Sequence, residues 1–285
     1  MHLRSHATKA VVLDIDGTLA REDHAVSDAG YRALAALESA GLRTILLTGR
    51  SESAALTVAT RGGLTSPVIS CSGAVVTDPV TGSRLDVRTI RESDVLETLA
   101  FAEANDLQPF LFYADSQWSD RESSATRTVS AINGDPVEVS RHPKSLSGIV
   151  KIMLSAEAFR LDALSAELAG TTPQLHRTLP ELVESSAPGA DKWDTLARVL
   201  DQIGVRPSEA LGFGDADADA EWMSHIGFAI AVENASQRVL DSAALVVGHH
   251  RDDAVARFLL RWLSERAATT SHAITSRAES TPASR

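Results

Sequence analysis

Residues 9–19 read Lys-Ala-Val-Val-Leu-Asp-Ile-Asp-Gly-Thr-Leu, and the fold follows from how this stretch is placed. Val11, Val12 and Leu13 form a short apolar run with β-branched residues, the pattern of a buried strand. Asp14 and Asp16 stand where that strand ends, and Gly17 lets the chain turn away. Two carboxylates so close repel each other, and an apolar sheet tolerates them only beside something cationic. In open α/β sheets the carboxyl edge of the strands is where ligands bind. A divalent metal there would resolve the repulsion and leave one carboxylate oxygen free to attack an electrophile. The same residues also suit an Asp-Gly turn that caps the next segment.

Working outward, Ser27-Asp28 reads as a helix start, with Leu34 and Leu37 in a helical stripe that ends at Gly41. A second strand, Thr44–Leu47, runs into Thr48-Gly49-Arg50-Ser51. A helix over 51–61 then leads through Gly62-Gly63 to a third strand, Val68-Ile69-Ser70. Strand and helix alternating at this spacing predict a doubly wound parallel sheet of Rossmann-like type. After Gly73 the rhythm changes to a hairpin around Asp78-Pro79-Val80-Thr81-Gly82. A block follows with helices expected at 92–105, 120–131 and 157–168. Its strands fall at 108–118, 149–154, 174–178 and 182–186, which predicts an α+β unit inserted into the first domain. The parallel pattern resumes with a helix from Ala190-Asp191-Lys192 and a strand at Leu211-Gly212-Phe213. The chain thus divides into a core (1–82 and 187–266), an insert (83–186) and a tail (267–285) poor in large apolar residues, which predicts disorder.

Composition narrows the class. The chain has 285 residues, 44% of them hydrophobic and 23% charged, as in a globular protein of about two domains. A formal net charge of −11 argues against nucleic acid as a partner. No run approaches the ~18 apolar residues of a membrane helix. The N-terminus lacks an apolar export region, so the cytoplasm is the expected location. The single cysteine, Cys71, excludes an internal disulfide and suits a buried thiol in Pro-Val-Ile-Ser-Cys.

Asp14-Ile15-Asp16-Gly17-Thr18-Leu19 resembles the first motif of the haloacid dehalogenase (HAD) superfamily of phosphotransferases. The resemblance implies that Asp14 attacks phosphorus and that Asp16 serves as acid and then base. Thr48, followed by Gly49, matches the second motif, which hydrogen-bonds the phosphoryl group; read alone, Thr48 is a helix cap. Gly189-Ala190-Asp191-Lys192 looks like the third motif, whose lysine neutralises nucleophile and phosphate. Lys192 sits at a helix N-terminus that favours anions, a misfit that a bound anion would explain, although a solvated lysine would look the same. Gly214-Asp215-Ala216-Asp217-Ala218-Asp219 resembles the fourth motif. By that resemblance the Asp14 side chain, the Asp16 carbonyl and Asp215 would ligate Mg²⁺, and Asp219 would hold its waters. Asn234 matches a late Asn-Ala that approaches the phosphate.

An insert between the second and third motifs marks the Cof-like (C2B-cap) subgroup, mostly phosphatases of sugar phosphates and phosphorylated cofactors. Two departures stand out. Ala218 replaces the subgroup's Asn in the fourth motif, and Ser72 replaces the Asn of an Asn-Gly-Ala step. The reading is a Mg²⁺-dependent phosphomonoesterase acting on a small phosphate ester. A phosphomannomutase-like mutase and a weakly active phosphate-binding protein are the alternatives. In the insert, Phe112-Tyr113-Ala114-Asp115-Ser116-Gln117-Trp118 suits either a substrate wall or half-buried sheet, and the lid reading puts Tyr113 or Trp118 against substrate. His142, His176 and the pair His249-His250 lack ligand spacing and read as surface or structural. Trp222 and Trp262 fit core-facing helix positions.

Overall fold

A computed structural model describes residues 8–171 and 175–279, with 269–279 described by backbone alone. Its first half alternates as the pattern predicts: β1 (Ala10–Leu13), α1 (Asp28–Ser39), β2 (Arg43–Leu46), α2 (Glu52–Gly62) and β3 (Val68–Ser70). The helix starts are local. The Ser27 side chain accepts from Gly30 N–H and the Ser51 side chain from Ala54 N–H, each satisfying one amide that the helix leaves open.

The chain then makes an antiparallel excursion through β4 (Val75–Thr77) and β5 (Arg84–Val87), paired in the order β3-β4-β5. Because β5 pairs with β4, the chain stays with this sheet until Val87, four residues past the expected start of the insert at 83.

The insert comprises α3 (Glu92–Ala104), β6 (Gln108–Tyr113), β7 (Gln117–Ser119), α4 (Ser124–Asn133), β8 (Glu138–Val139), β9 (Ile149–Ser155), α5 (Ala158–Ala163), α6 (Ser165–Ala169), β10 (His176–Leu179) and β11 (Leu182–Ser186). Six strands form one sheet in the order β10-β11-β9-β6-β7-β8, antiparallel except for β7 with β8. The single helix expected over 157–168 breaks at Leu164, and the strand expected from 174 starts at His176, its first residue lying outside the described residues.

The return is α7 (Lys192–Gln202), β12 (Ala210–Gly214), α8 (Asp217–His225), β13 (Phe228–Val232), α9 (Gln237–Ser242), β14 (Leu245–Val247) and α10 (Ala254–Glu279). The main sheet runs β14-β13-β12-β1-β2, every pair parallel, and a bridge from Leu47 to Ile69 sets β3 beside it. α10 runs to Glu279, and the tail expected to be disordered begins within it at 267. Residues 280–285 lie outside the described residues. No helix among the described residues is long and apolar enough to cross a membrane.

Packing explains the layers. Val11 and Leu13 of β1 point into a cluster with α1, α2 and α10, while Ala10 and Val12 point into another with α7 and α8. Burial on both faces is what a parallel sheet demands. Trp222 and Trp262 are core residues, as expected. The insert has its own apolar cluster, which runs on into Cys71, Ala74 and Ala190 at the junction. Cys71 is fully buried, and that burial pushes its thiol up to about 11. It opens an unusual turn: Cys71, Ser72 and Gly73 have φ of +49°, +58° and +105° in succession. Left-handed backbone at two non-glycine residues costs roughly 1–2 kcal/mol each and must be held by its surroundings.

Candidate active site

Every main-sheet strand that carries a motif ends at the same edge. Asp14 follows β1, Thr48 lies two residues beyond β2, Asp215 follows β12 and Asn234 lies beyond β13. The parallel register thus gathers residues far apart in sequence, and Lys192 joins them from the first turn of α7.

The centre of the site is a buried charge cluster. Lys192 Nζ donates to Asp14 Oδ1 and to Asp219 Oδ1, each at 2.7 Å. Carboxylate oxygens of Asp14, Asp215 and Asp219 lie within 4.8 Å of one another. Three acids and one ammonium leave net negative charge in a desolvated place. Burial raises the Asp14 carboxyl well above the usual range, and repulsion from Asp219 and Asp215 adds to it, against the pull of Lys192. Asp215 is pushed up to about 6, first by burial and then by Asp219, although the Thr18 hydroxyl, which donates to its Oδ1 at 2.7 Å, and Lys192 pull it down. Burial by itself would lower the Lys192 pKa, but Asp14 and Asp219 raise it above the ordinary lysine value.

Asp219 is fully buried, with a filled hydrogen-bonding shell. Besides Lys192, it accepts from Trp222 Nε1 at 2.9 Å and from the amides of Asp215 and Ala216 at 3.2 and 3.1 Å. It shapes the start of α8 and holds the lysine. Gly17 is required by the opposite wall: it has φ +77°, and a Cβ there would fall 2.2 Å from Asp215 Oδ2. A crowded, oxygen-only donor set with surplus negative charge suits a hard divalent cation such as Mg²⁺.

Asp16 lies apart from the lysine. Arg50 grips its carboxylate with Nε and Nη2, both at 2.7 Å, and His24 Nδ1 is 3.1 Å from Oδ1. Arg50 is itself buried and donates to the His24 carbonyl at 2.7 Å. Thr48 is fully buried; its hydroxyl accepts from Arg50 N–H at 3.2 Å, which leaves its own proton to donate. The Gly49 carbonyl accepts from Lys151 Nζ at 2.9 Å. Asn234 spends both polar ends on backbone, donating to the Gly17 carbonyl at 2.8 Å and accepting from His250 N–H at 3.1 Å, and so braces the Asp14–Gly17 turn.

Thr18, His24, Arg50, Lys151 and Glu184 were not singled out from sequence. A cleft of about 740 Å³ opens beside the cluster, lined among others by Lys192, Ser72, Arg238 and, from the insert, His176, Arg177 and Glu184. Tyr113 and Trp118 do not line it. Both are buried in the insert, where Tyr113 Oη donates to the Ser145 carbonyl and Trp118 Nε1 donates to Ser140 Oγ at 2.8 Å. Their alternation reflects packing, and the expectation that they face substrate is corrected. His249 and His250 stack with rings 4.9 Å apart and gather with Glu22 near the same edge, and His250 Nδ1 lies 2.8 Å from the Ala20 carbonyl.

The family model described as haloacid dehalogenase-like hydrolase matches residues 11–259. The chain belongs to this family. Among related proteins, this HAD-like chain is 24% identical over 270 residues to the 5-amino-6-(5-phospho-D-ribitylamino)uracil phosphatase YitU of Bacillus subtilis, covering 89% of the chain and 97% of the relative. It is 26% identical over 259 residues to the HMP-PP phosphatase of Cronobacter sakazakii, covering 88% and 94%. A solved HAD/COF-like hydrolase from Plasmodium vivax superposes with a TM-score of 0.82 at 21% identity, over 92% of this chain and 98% of that one.

Proposed function

We propose that this HAD-type phosphatase hydrolyses a small phosphate monoester with Mg²⁺ bound, through a phosphorylated Asp14. The observation that carries the reading is Lys192, buried and shared at 2.7 Å between Asp14 and Asp219 at the edge of a parallel sheet. A buried lysine so placed screens the nucleophile's charge from an incoming phosphate dianion, which would otherwise be repelled by three carboxylates.

Asp14 and Asp215, with the Asp16 carbonyl, are the oxygens that would hold the ion. Bound there, Mg²⁺ would neutralise phosphoryl charge and fix the ester in line with the nucleophile. In the first half-reaction an Asp14 oxygen attacks phosphorus while the leaving oxygen takes a proton from Asp16. In the second, the same carboxylate accepts a proton from the attacking water, which restores its starting state. Arg50 and His24 aim Asp16, and the Thr48 hydroxyl donates to a phosphoryl oxygen. The insert serves as a lid over this edge.

The test is phosphate release across a panel of sugar and cofactor monophosphates with and without Mg²⁺. Acid-quenched enzyme is then digested to find the phosphoryl group on the peptide that contains Asp14. Release without a trapped phosphopeptide, in a variant slowed at its second step, refutes the covalent route.

A further inference from the structure

We infer that Glu184 is a specificity-determining residue of this enzyme. It accepts a hydrogen bond from a hydroxyl or ammonium group on the leaving-group side of the substrate and disfavours esters that carry a second anion. The inference deepens the phosphatase reading and rests on it.

The argument starts from a closed circuit between the insert and the phosphate-side loop. Lys151 lies inside the apolar run Ile149-Val150-Lys151-Ile152 of β9, a costly place for an ammonium. It is buried, donates to the Gly49 carbonyl, and sits 4.4 Å above the Phe112 ring. Its Nζ is 3.5 Å from Glu184 Oε2, and Glu184 Oε1 accepts from Ser72 Oγ at 3.0 Å. Ser72 in turn leans over Gly49, where a Cβ would lie 3.4 Å from its hydroxyl. The strained turn at Cys71–Gly73 holds that hydroxyl in place.

Glu184 is therefore anchored at both oxygens yet not sealed, since its side chain keeps 21% exposure where Lys151 keeps 5%. A carboxylate has about four acceptor positions, and the circuit uses two. The others serve the cleft that Glu184 lines together with Lys192. Ser72, which donates to Glu184, stands where the Cof-like resemblance expects Asn.

Electrostatics then selects the substrate. A fixed carboxylate attracts a hydroxyl or ammonium donor and repels a second phosphate or a carboxylate. The other charged side chain on this wall, Arg177, is occupied by Asp162 and the Ala158 carbonyl. Arg238, on the main-sheet side of the cleft, is the competing determinant: if it governed selection, doubly anionic esters would be preferred.

The experiment compares kcat/KM for a hexose 6-phosphate, its 2-amino analogue, a hexose 1,6-bisphosphate and p-nitrophenyl phosphate in wild type, Glu184→Gln, Ser72→Ala and Arg238→Gln. Wild type favours the hydroxyl- and amine-bearing monophosphates over the bisphosphate. Glu184→Gln lowers the ratio of amino-sugar ester to p-nitrophenyl ester by about tenfold or more, the scale of a hydrogen bond to a charged group. Ser72→Ala moves it the same way by less, because one anchor of the carboxylate is lost. Equal losses on all four esters in Glu184→Gln, or a wild type that prefers the bisphosphate, overturn the inference while leaving the phosphatase reading intact. No phosphate release by wild type from any ester overturns both.

Discussion

Two buried lysines divide the labour of this molecule. Lys192, at the edge of the parallel sheet, is pinned at 2.7 Å by two carboxylates. Lys151, in the sheet of the insert, donates to a backbone carbonyl and lies 3.5 Å from the Glu184 carboxylate. The first is a charge balance: remove it and buried acids are left facing one another. The second is a docking pin, directional and modest in Coulomb energy. Groups near Lys192 should therefore act on every substrate alike, and groups near Lys151 on the choice among them.

The sharpest way to break this contrast is Asp14→Asn, nearly isosteric but a poor nucleophile. It should lower turnover by ~10³-fold or more on every ester, with the fold retained. A tenth of wild-type turnover on the best substrate would end the covalent proposal. Asp16→Asn should cost ~10²–10⁴-fold, less for aryl than for alkyl esters in single-turnover phosphorylation of the enzyme. Identical losses would remove Asp16 from the proton path.

Stability offers a direct test of the two lysines. Lys192→Met should destabilise by ~3–5 kcal/mol, as breaking a buried ion pair does, and Lys151→Met by ~1–3 kcal/mol, the cost of an orphaned buried acceptor. Denaturant midpoints reversing that order would undo the comparison.

A pH series sharpens it further. Asp215 is pushed up to about 6 in the folded chain, from an ordinary value of 3.8. The native state thus binds more protons than the unfolded state between these values. Its contribution to stability is present at low pH and is lost as pH rises through the window. The metal-free protein should show a falling difference in Tm between wild type and Asp215→Asn from about pH 4 to above 6, and Mg²⁺ should restore more at pH 7 than at pH 5. A difference that grows with pH contradicts the assignment. The smallest effect is expected for Trp118→Phe, which loses the bond to Ser140 for about 0.5–1.5 kcal/mol and leaves the order of substrates as it was; a reordered panel would return Trp118 to the substrate wall.

The edge of the parallel sheet was legible because its residues sit in tight local patterns. Asp14-x-Asp16-Gly17 and Gly214-Asp215 each follow an apolar strand, and the strand–helix rhythm alone brings them together. Arg50 and Glu184 have no such signature, since a lone charge after a turn or in a short strand reads as solvated surface until its partner is known. Lys151 did leave a trace, an ammonium inside an apolar run. Tyr113 and Trp118 misled because alternation encodes which face is covered, not what covers it.

Cys71 has a practical consequence. It is the sole cysteine of the chain, fully enclosed where the insert's apolar cluster meets the loop before Ala74, and its thiol is held protonated up to about pH 11. Alkylating reagents require a thiolate they can reach, and neither condition is met while the junction is shut. The rate of labelling by iodoacetamide therefore reports how often the packing around Cys71 opens to solvent, a chemical clock already present in the chain. Saturating substrate analogue should slow that clock if binding holds the two parts together, with no probe or engineered cysteine added.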